Sequence, residues 1–100
     1  GTYACAEAAV SATGRGELML RFVTAKAIAD AIASGLDASR ATQTVLAAMA
    51  TEMGREVGAV SIDRAGRIGI AHHTRAMPHA WASSEQEGIA AAMACPAAQA

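Results

Sequence analysis

The first clear pattern is a run of small and β-branched residues at positions 8–13. It ends at the glycine pair Gly14 and Gly16, so we predict a buried strand that leads into a tight turn. From Glu17 the apolar positions fall at i, i+4, i+7, i+11 and i+14, which predicts one amphipathic helix of about 17 residues. The predicted apolar stripe consists of Leu18, Phe22, Ala25, Ala29 and Ile32.

A second helix is expected directly afterwards. Gly35 suits the left-handed residue that ends a helix, and Asp37 suits the N-cap of the next one. The chain therefore passes from one strand into two helices of opposite direction. The predicted apolar stripe of the second helix consists of Thr42, Val45, Leu46, Met49 and Met53.

The spacing then changes to that of strands. Residues 59–62 and 67–72 are rich in β-formers, and Asp-Arg-Ala-Gly at 63–66 separates them, so we predict a β-hairpin. In the second strand, Gly69 and Ala71 are small enough to allow close packing on one face. The opposite face carries Ile68, Ile70 and His72.

The order of strand, helix pair and hairpin predicts an α+β fold, with helices on one face of a mainly antiparallel sheet. The other face of that sheet needs a covering surface. Residues 83–100 form an Ala-rich tail without clear periodicity, for which we expect a helical turn or disorder. We see no internal repeat and no linker that would divide the chain.

Composition strengthens the expectation of a covering surface. Of the 100 residues, 53% are hydrophobic but only 3% are aromatic, and alanine is the commonest residue. Because alanine buries little area, the core is thin and a partner surface is expected.

Charge argues against several classes of partner. Eight Lys and Arg residues oppose nine Asp and Glu residues without a basic block, so we expect neither nucleic acid nor an anionic membrane as a partner. We also expect no membrane span and no signal peptide. Cys5 and Cys95 match no metal or disulfide pattern, which predicts two free thiols and a cytoplasmic location.

The turn at residues 13–17, Thr-Gly-Arg-Gly-Glu, is the strongest candidate for chemistry. A strand that runs through glycines into a helix points backbone N–H groups and a hydroxyl at one spot, which suits an oxyanion or a carboxylate. The spacing matches neither a dinucleotide fingerprint nor a P-loop. The alternative is a plain tight turn in which Glu17 helps the helix to begin.

Several blocks of the sequence form a combination more specific than any single motif. They are GTYA at 1–4, AAVSATGRGELMLRF at 8–22, GAVSID at 58–63, TRAM at 74–77 and AW at 80–81. The T-G-x-G-[E/D] block that runs into L-x-x-R is the most specific part. Together the blocks resemble the β-subunit of plant-type asparaginases, which are isoaspartyl peptidases, N-terminal-nucleophile hydrolases related to glycosylasparaginase.

The resemblance implies a specific reaction. In the family, self-cleavage makes a threonine the first residue of the β-subunit, and its hydroxyl attacks a side-chain amide while the freed α-amine acts as base. The resemblance places the oxyanion hole at the Thr13 hydroxyl and the Gly14 N–H, and a substrate-binding role at the backbone of Gly16. Arg15 stands where a small residue such as threonine is commoner, so it either alters substrate preference or points to solvent.

The nucleophile is expected outside this chain. The family's nucleophile lies well before the Gly-x-Tyr-Ala block with which this chain begins, as do the arginine and aspartate that grip the substrate. Thr2 follows a glycine, as the nucleophile often does, but the residues after it match the downstream block instead. On this alignment residues 1–82 are the later part of a β-subunit, followed by the tail at 83–100.

The resemblance also implies an assembly. The expected fold is a four-layer αββα sandwich, built with the α-subunit and the remainder of the β-subunit, in a dimer of αβ units that forms a heterotetramer. Neither a cofactor nor a metal is expected: His72 and His73 are adjacent on a strand, so their rings face opposite ways, and we expect His72 to be half-buried and His73 to lie near an interface or solvent.

The expected reaction is hydrolysis of L-asparagine and of β-aspartyl dipeptides, with this chain inactive alone. Two alternatives remain at this point. One is a glycosylasparaginase-like hydrolase, and the other is a non-enzymatic α+β module that packs its open sheet face on itself or on a partner.

Overall fold

The computed structural model describes residues 1–53, 56–85 and 87–94. Within them the chain forms three helices and six strands, and none of these helices has the length and apolar character needed to span a bilayer. In chain order the elements are β1 (Thr2–Ala4), β2 (Ala8–Gly14), α1 (Gly16–Phe22), α2 (Thr24–Ala33), α3 (Ala38–Met53), β3 (Val57–Asp63), β4 (Ile68–His72), β5 (His79–Trp81) and β6 (Ala90–Ala92).

The main sheet has the order β1-β2-β3-β4, and every neighbouring pair is antiparallel. Because α2 and α3 pack on one face, the alternate residues of the strands are buried there, as Val10 and Ala59 show. The predicted α+β fold with a mainly antiparallel sheet is therefore confirmed. We call the sheet surface opposite these helices the open face. The core consists mainly of Ala8, Val10, Ile28, Ala29, Ile32, Ala38, Ala41, Leu46, Met49, Val57, Ala59 and Ala71.

The predicted hairpin is confirmed as β3 and β4, with Val60 opposite Ile70. Gly69 faces the helix layer so closely that a Cβ there would collide with the carbonyl oxygen of Ala38, the first residue of α3. The small residues of β4 thus permit the close packing that their alternation predicts.

The prediction of one continuous helix from Glu17 onward is wrong, because a break at Val23 divides this segment into two helices, α1 and α2. Val23 has φ +54° and ψ +50°, a left-handed conformation that is unfavourable for a β-branched residue. Its N–H donates to the carbonyl oxygen of Leu20, which ends α1, and α2 begins at Thr24. Of these two helices, α2 buries several residues, among them Ile28 and Ile32, whereas α1 buries none. The core therefore fixes the direction of α2 and leaves α1 at the surface.

The connection between α2 and α3 agrees with the prediction. Gly35 has φ +121°, and the Leu36 N–H donates to the carbonyl oxygen of Ala31, which closes a Schellman turn. Asp37 then caps α3, since its Oδ1 accepts the Arg40 N–H at 2.8 Å. In the predicted stripe, Thr42, Leu46 and Met49 are buried and Val45 is half-buried, while the side chain of Met53 lies outside the described residues.

The segment after β4 forms a second, two-stranded sheet from β5 and β6. Neither the helical turn nor the disorder expected for the tail fits residues 90–92, which pair with β5 as a strand. The imidazole of His79 stacks on Trp81 with ring centroids 5.7 Å apart. Cys5 is an exposed free thiol, as predicted, and Cys95 lies outside the described residues.

Candidate active site

The predicted turn lies where β2 leaves the sheet. Thr13 is in register with Gly58, and Gly14 with Val57. Gly14 has φ +136°, and a Cβ on it would collide with the main-chain carbonyl oxygen of Glu56. Both the backbone torsion and the space therefore require glycine at this position. The exposed Thr13 side chain belongs to the open face, by the alternation along β2.

The hydrogen bonds on either side of Gly14 give the direction of its amide. Arg15 donates its N–H to the carbonyl oxygen of Glu56 at 3.1 Å, on the β3 side, whereas Ala12 donates to the carbonyl oxygen of Gly1 at 2.8 Å, on the β1 side. Alternate amides of an antiparallel strand point to the same edge, so the Gly14 N–H points to the β1 side. The Gly14 N–H therefore lies on the opposite edge of β2 from the Glu56 carbonyl oxygen that holds Arg15.

The side chain of Arg15 is engaged by two carboxylates. Its Nε and Nη2 donate to Oε1 of Glu17 at 3.2 and 3.1 Å, and its Nε lies 3.6 Å from Oε2 of Glu56. The backbone N–H of Glu17 and the guanidinium of Arg15 lower the pKa of the Glu17 carboxyl below its usual range. Arg15 therefore lies in an exposed ion-pair cluster, and its effect on substrate preference stays a prediction. Glu56 was missed from the sequence, although its place directly before β3 puts it opposite Arg15 in an extended register.

Gly16 begins α1, and no atom lies within 4 Å of the position a Cβ would take. It lines a cavity of about 380 Å³ between β1 and the two short helices, with Tyr3, Met19 and Leu20 among the other lining residues. Neither Thr13 nor Gly14 lines that cavity. Since α1 has only seven residues, its dipole adds little to anion binding at the turn, and the donors there are individual N–H and O–H groups.

Thr2 lies in β1 opposite Ser11, and its nitrogen belongs to the peptide bond with Gly1. An N-terminal nucleophile uses its own α-amine as base. Thr2 would gain such a base only by cleavage of that bond, so its role stays the prediction drawn from the sequence.

His72 is fully buried, so the expectation of a half-buried ring is wrong. Its Nδ1 donates to the carbonyl oxygen of Thr74 at 2.9 Å, since a carbonyl can only accept. His73 is half-buried. In the described part of the chain, no three His, Cys, Asp or Glu side chains lie close enough together to hold a metal ion.

Known proteins match this chain over most of its length. The family model described as Asparaginase matches residues 1–92. The chain is 33% identical to the plant-type L-asparaginase of Pyrococcus horikoshii over 88 residues. This matched stretch covers 87% of this chain and 29% of that protein. It is also 33% identical over 82 residues to the plant-type L-asparaginases of Pyrococcus abyssi and Thermococcus kodakarensis. Each of these matches covers 81% of this chain and 27% of the relative.

The chain belongs to the plant-type asparaginase family. Its turn at residues 13–17, its hairpin and the segment up to β6 all lie within the matched range. The chain spans less than a third of the length of these curated relatives.

Proposed function

We propose that the intact protein is an asparaginase-type amidohydrolase that cleaves the side-chain amide of L-asparagine and the β-aspartyl bond of isoaspartyl dipeptides. The family match supports the reaction class. The observation that carries the site is the end of β2, where the exposed Thr13 is followed by Gly14, whose torsion and close approach to the Glu56 carbonyl oxygen fix the geometry of the turn.

The proposed nucleophile is an N-terminal threonine outside these residues, exposed by self-cleavage of a precursor. Its hydroxyl attacks the carbonyl carbon of the substrate amide and passes its proton to the threonine's own α-amine. The tetrahedral oxyanion accepts hydrogen bonds from the Thr13 hydroxyl and the Gly14 N–H. Collapse releases ammonia or an amine, which takes that proton, and water then hydrolyses the ester to aspartate. Gly16 holds the substrate through its backbone.

We further propose that residues 1–82 are the later part of a β-subunit and that a second sheet covers the open face to form a four-layer αββα sandwich. A dimer of such αβ units gives a heterotetramer. The exposed apolar side chains of the open face support a covering second sheet, because Val60 and Ile62 are 37% and 44% exposed. The free thiol of Cys5 suits a reducing compartment, so we place the protein in the cytoplasm.

The test uses the intact protein and three substrates. Mass spectrometry first shows whether a chain with an N-terminal threonine accompanies these residues. Release of ammonia from L-asparagine and of aspartate from a β-aspartyl dipeptide is the expected result. Turnover of a glycosylated asparagine in preference to both would support a glycosylasparaginase instead. No turnover of any of the three would leave a non-enzymatic α+β module.

A further inference from the structure

The turn that carries Gly14 receives little support from the core. The helix that follows it, α1, has seven residues and buries none of them. Glycines stand on both sides of Arg15, and Gly16 has open space around its Cβ position. Gly14 is anchored by its pairing with Val57, but glycine torsions are soft, so the orientation of the turn at the end of that pairing depends also on what holds Arg15.

Arg15 is held by its backbone in both directions. Its N–H donates to the carbonyl oxygen of Glu56, which ties the turn to the residue before β3. Its carbonyl oxygen accepts the N–H groups of Leu18 and Met19, both at 3.1 Å, which ties the turn to α1. Arg15 is thus the point at which β2, α1 and the approach to β3 are joined.

The side chain repeats the same connections. Arg15 is the N-cap of α1, but arginine has no acceptor and makes no side-chain cap. Its guanidinium instead pairs forward with Glu17 in the first turn of α1 and back with Glu56. Two contacts from one rigid, planar group constrain the orientation of the residue more than a single contact does.

We propose that Arg15, held between Glu17 and Glu56, is a positioning residue that fixes the Gly14 amide for the oxyanion. The proposal rests on the proposed function. Loss of the cluster lowers turnover more than ground-state affinity, because the Gly14 amide bonds to charge that develops in the transition state, whereas Gly16 on the same turn meets the substrate in both states.

The experiment compares variants of the intact protein with L-asparagine as substrate and L-aspartate as the binding probe. Arg15→Met keeps the aliphatic stem and removes both ion pairs, and we expect kcat to fall about fivefold. KM and the affinity for L-aspartate should stay within about twofold of the wild type. Arg15→Lys keeps a cation for one glutamate and should recover part of the loss.

Two further variants show whether the residues act together. Glu56→Gln removes one ion pair but keeps the carbonyl that holds Arg15, so kcat should fall less than in Arg15→Met. Because both changes remove the same contact, the double variant should be no slower than Arg15→Met alone. Lys26→Met is the control: it breaks an equally exposed pair with Asp30, 2.9 Å long, on α2 and should leave kcat unchanged.

Hydrogen exchange at residues 14–19 tests the positioning directly. Faster exchange in Arg15→Met than in the wild type, with an unchanged melting temperature, supports the proposal. A higher KM with unchanged kcat would mean that Arg15 contacts the substrate, and unchanged kcat with unchanged exchange would mean that the cluster is inert; either result overturns it. A wild-type protein that hydrolyses none of the substrates refutes the proposed function, and the positioning role with it.

Discussion

Asp63 joins the hairpin to the helix layer. Its side chain is 3% exposed and accepts the N–H groups of Ala65 and Arg67 at 3.0 and 2.9 Å, the Nε of Arg67 at 2.8 Å, and the N–H of Ala38 at 3.1 Å. One carboxylate therefore closes the β3–β4 turn and fixes the start of α3. Burial raises the pKa of Asp63, but the donated hydrogen bonds and the Arg67 charge outweigh it and hold the pKa below its usual range.

Asp63→Asn should destabilise the intact protein by about 2 kcal/mol at pH 7. The asparagine amide carries no charge, and its NH2 group would face N–H groups that now donate to the Asp63 carboxylate. The depressed pKa means that the wild-type advantage is complete above the unfolded pKa and is lost as pH falls through the lower folded value. The difference in urea midpoint between the two proteins should therefore shrink below about pH 4. Asp30→Asn, at an exposed pair on α2, is the control. A difference that does not change with pH would contradict this account.

Thr13→Val tests the hydroxyl of the proposed oxyanion hole. The two side chains have similar shape, and Thr13 is exposed, so the fold should be preserved. Loss of one oxyanion donor should lower kcat for L-asparagine by about 100-fold or more, with a smaller effect on KM. Ser11→Ala removes the neighbouring hydroxyl of the same strand face and should have little effect. Equal turnover of Thr13→Val and the wild type would assign Thr13 to structure.

The sequence predicts the local roles of three residues, because each depends on its own backbone geometry. Gly14 and Gly35 adopt positive φ torsions, and Asp37 is an N-cap. The role of Asp63 was not, since its partner Ala38 lies 25 residues away along the chain. The ion pair between Arg15 and Glu56 was hidden for the same reason, because these two residues are also far apart along the chain. Contacts that depend on sheet register stay hidden until the register is known.

At the level of elements, the sequence predicts the periods of the helices correctly and misses a break within one of them. The apolar stripe continues across Val23 without interruption, and nothing local marks Val23 as a terminus, since valine disfavours the left-handed conformation it adopts. The break follows from tertiary packing, which draws Thr24 and Ile28 into the core. The strand at residues 90–92 was hidden for a similar reason, because three alanines carry no periodic signal.

Gly69→Ala should destabilise the intact protein by about 1–3 kcal/mol, because the new methyl group meets the backbone at Ala38 and forces α3 away from β4. Gly58→Ala is the matched control: there a Cβ chiefly meets the Sδ of Met77, the end of a flexible side chain that can move. Thermal unfolding of both variants should therefore show the larger loss at Gly69. Equal losses would mean that α3 approaches the sheet less tightly than the structure indicates.

At the level of the whole molecule, one face of the sheet carries the helices and the other has much less cover. A groove of about 470 Å³ crosses the open face, with Val60, Ile62 and Ile68 among its lining residues and Ala80 of β5 at its side. A thin, alanine-rich core on one face and exposed β-branched residues on the other both favour a further layer, which residues 1–53, 56–85 and 87–94 do not supply.

Ile62→Lys tests whether a second sheet covers that face in the intact protein. If the four-layer arrangement is right, the substitution buries an unpaired ammonium group between two sheets, and we expect several kcal/mol of destabilisation with loss of the assembled enzyme in size-exclusion chromatography. Ala48→Lys adds the same charge on an exposed position of α3 and should change stability by less than about 0.5 kcal/mol. If Ile62→Lys behaves like Ala48→Lys, the open face meets solvent and the sandwich is excluded.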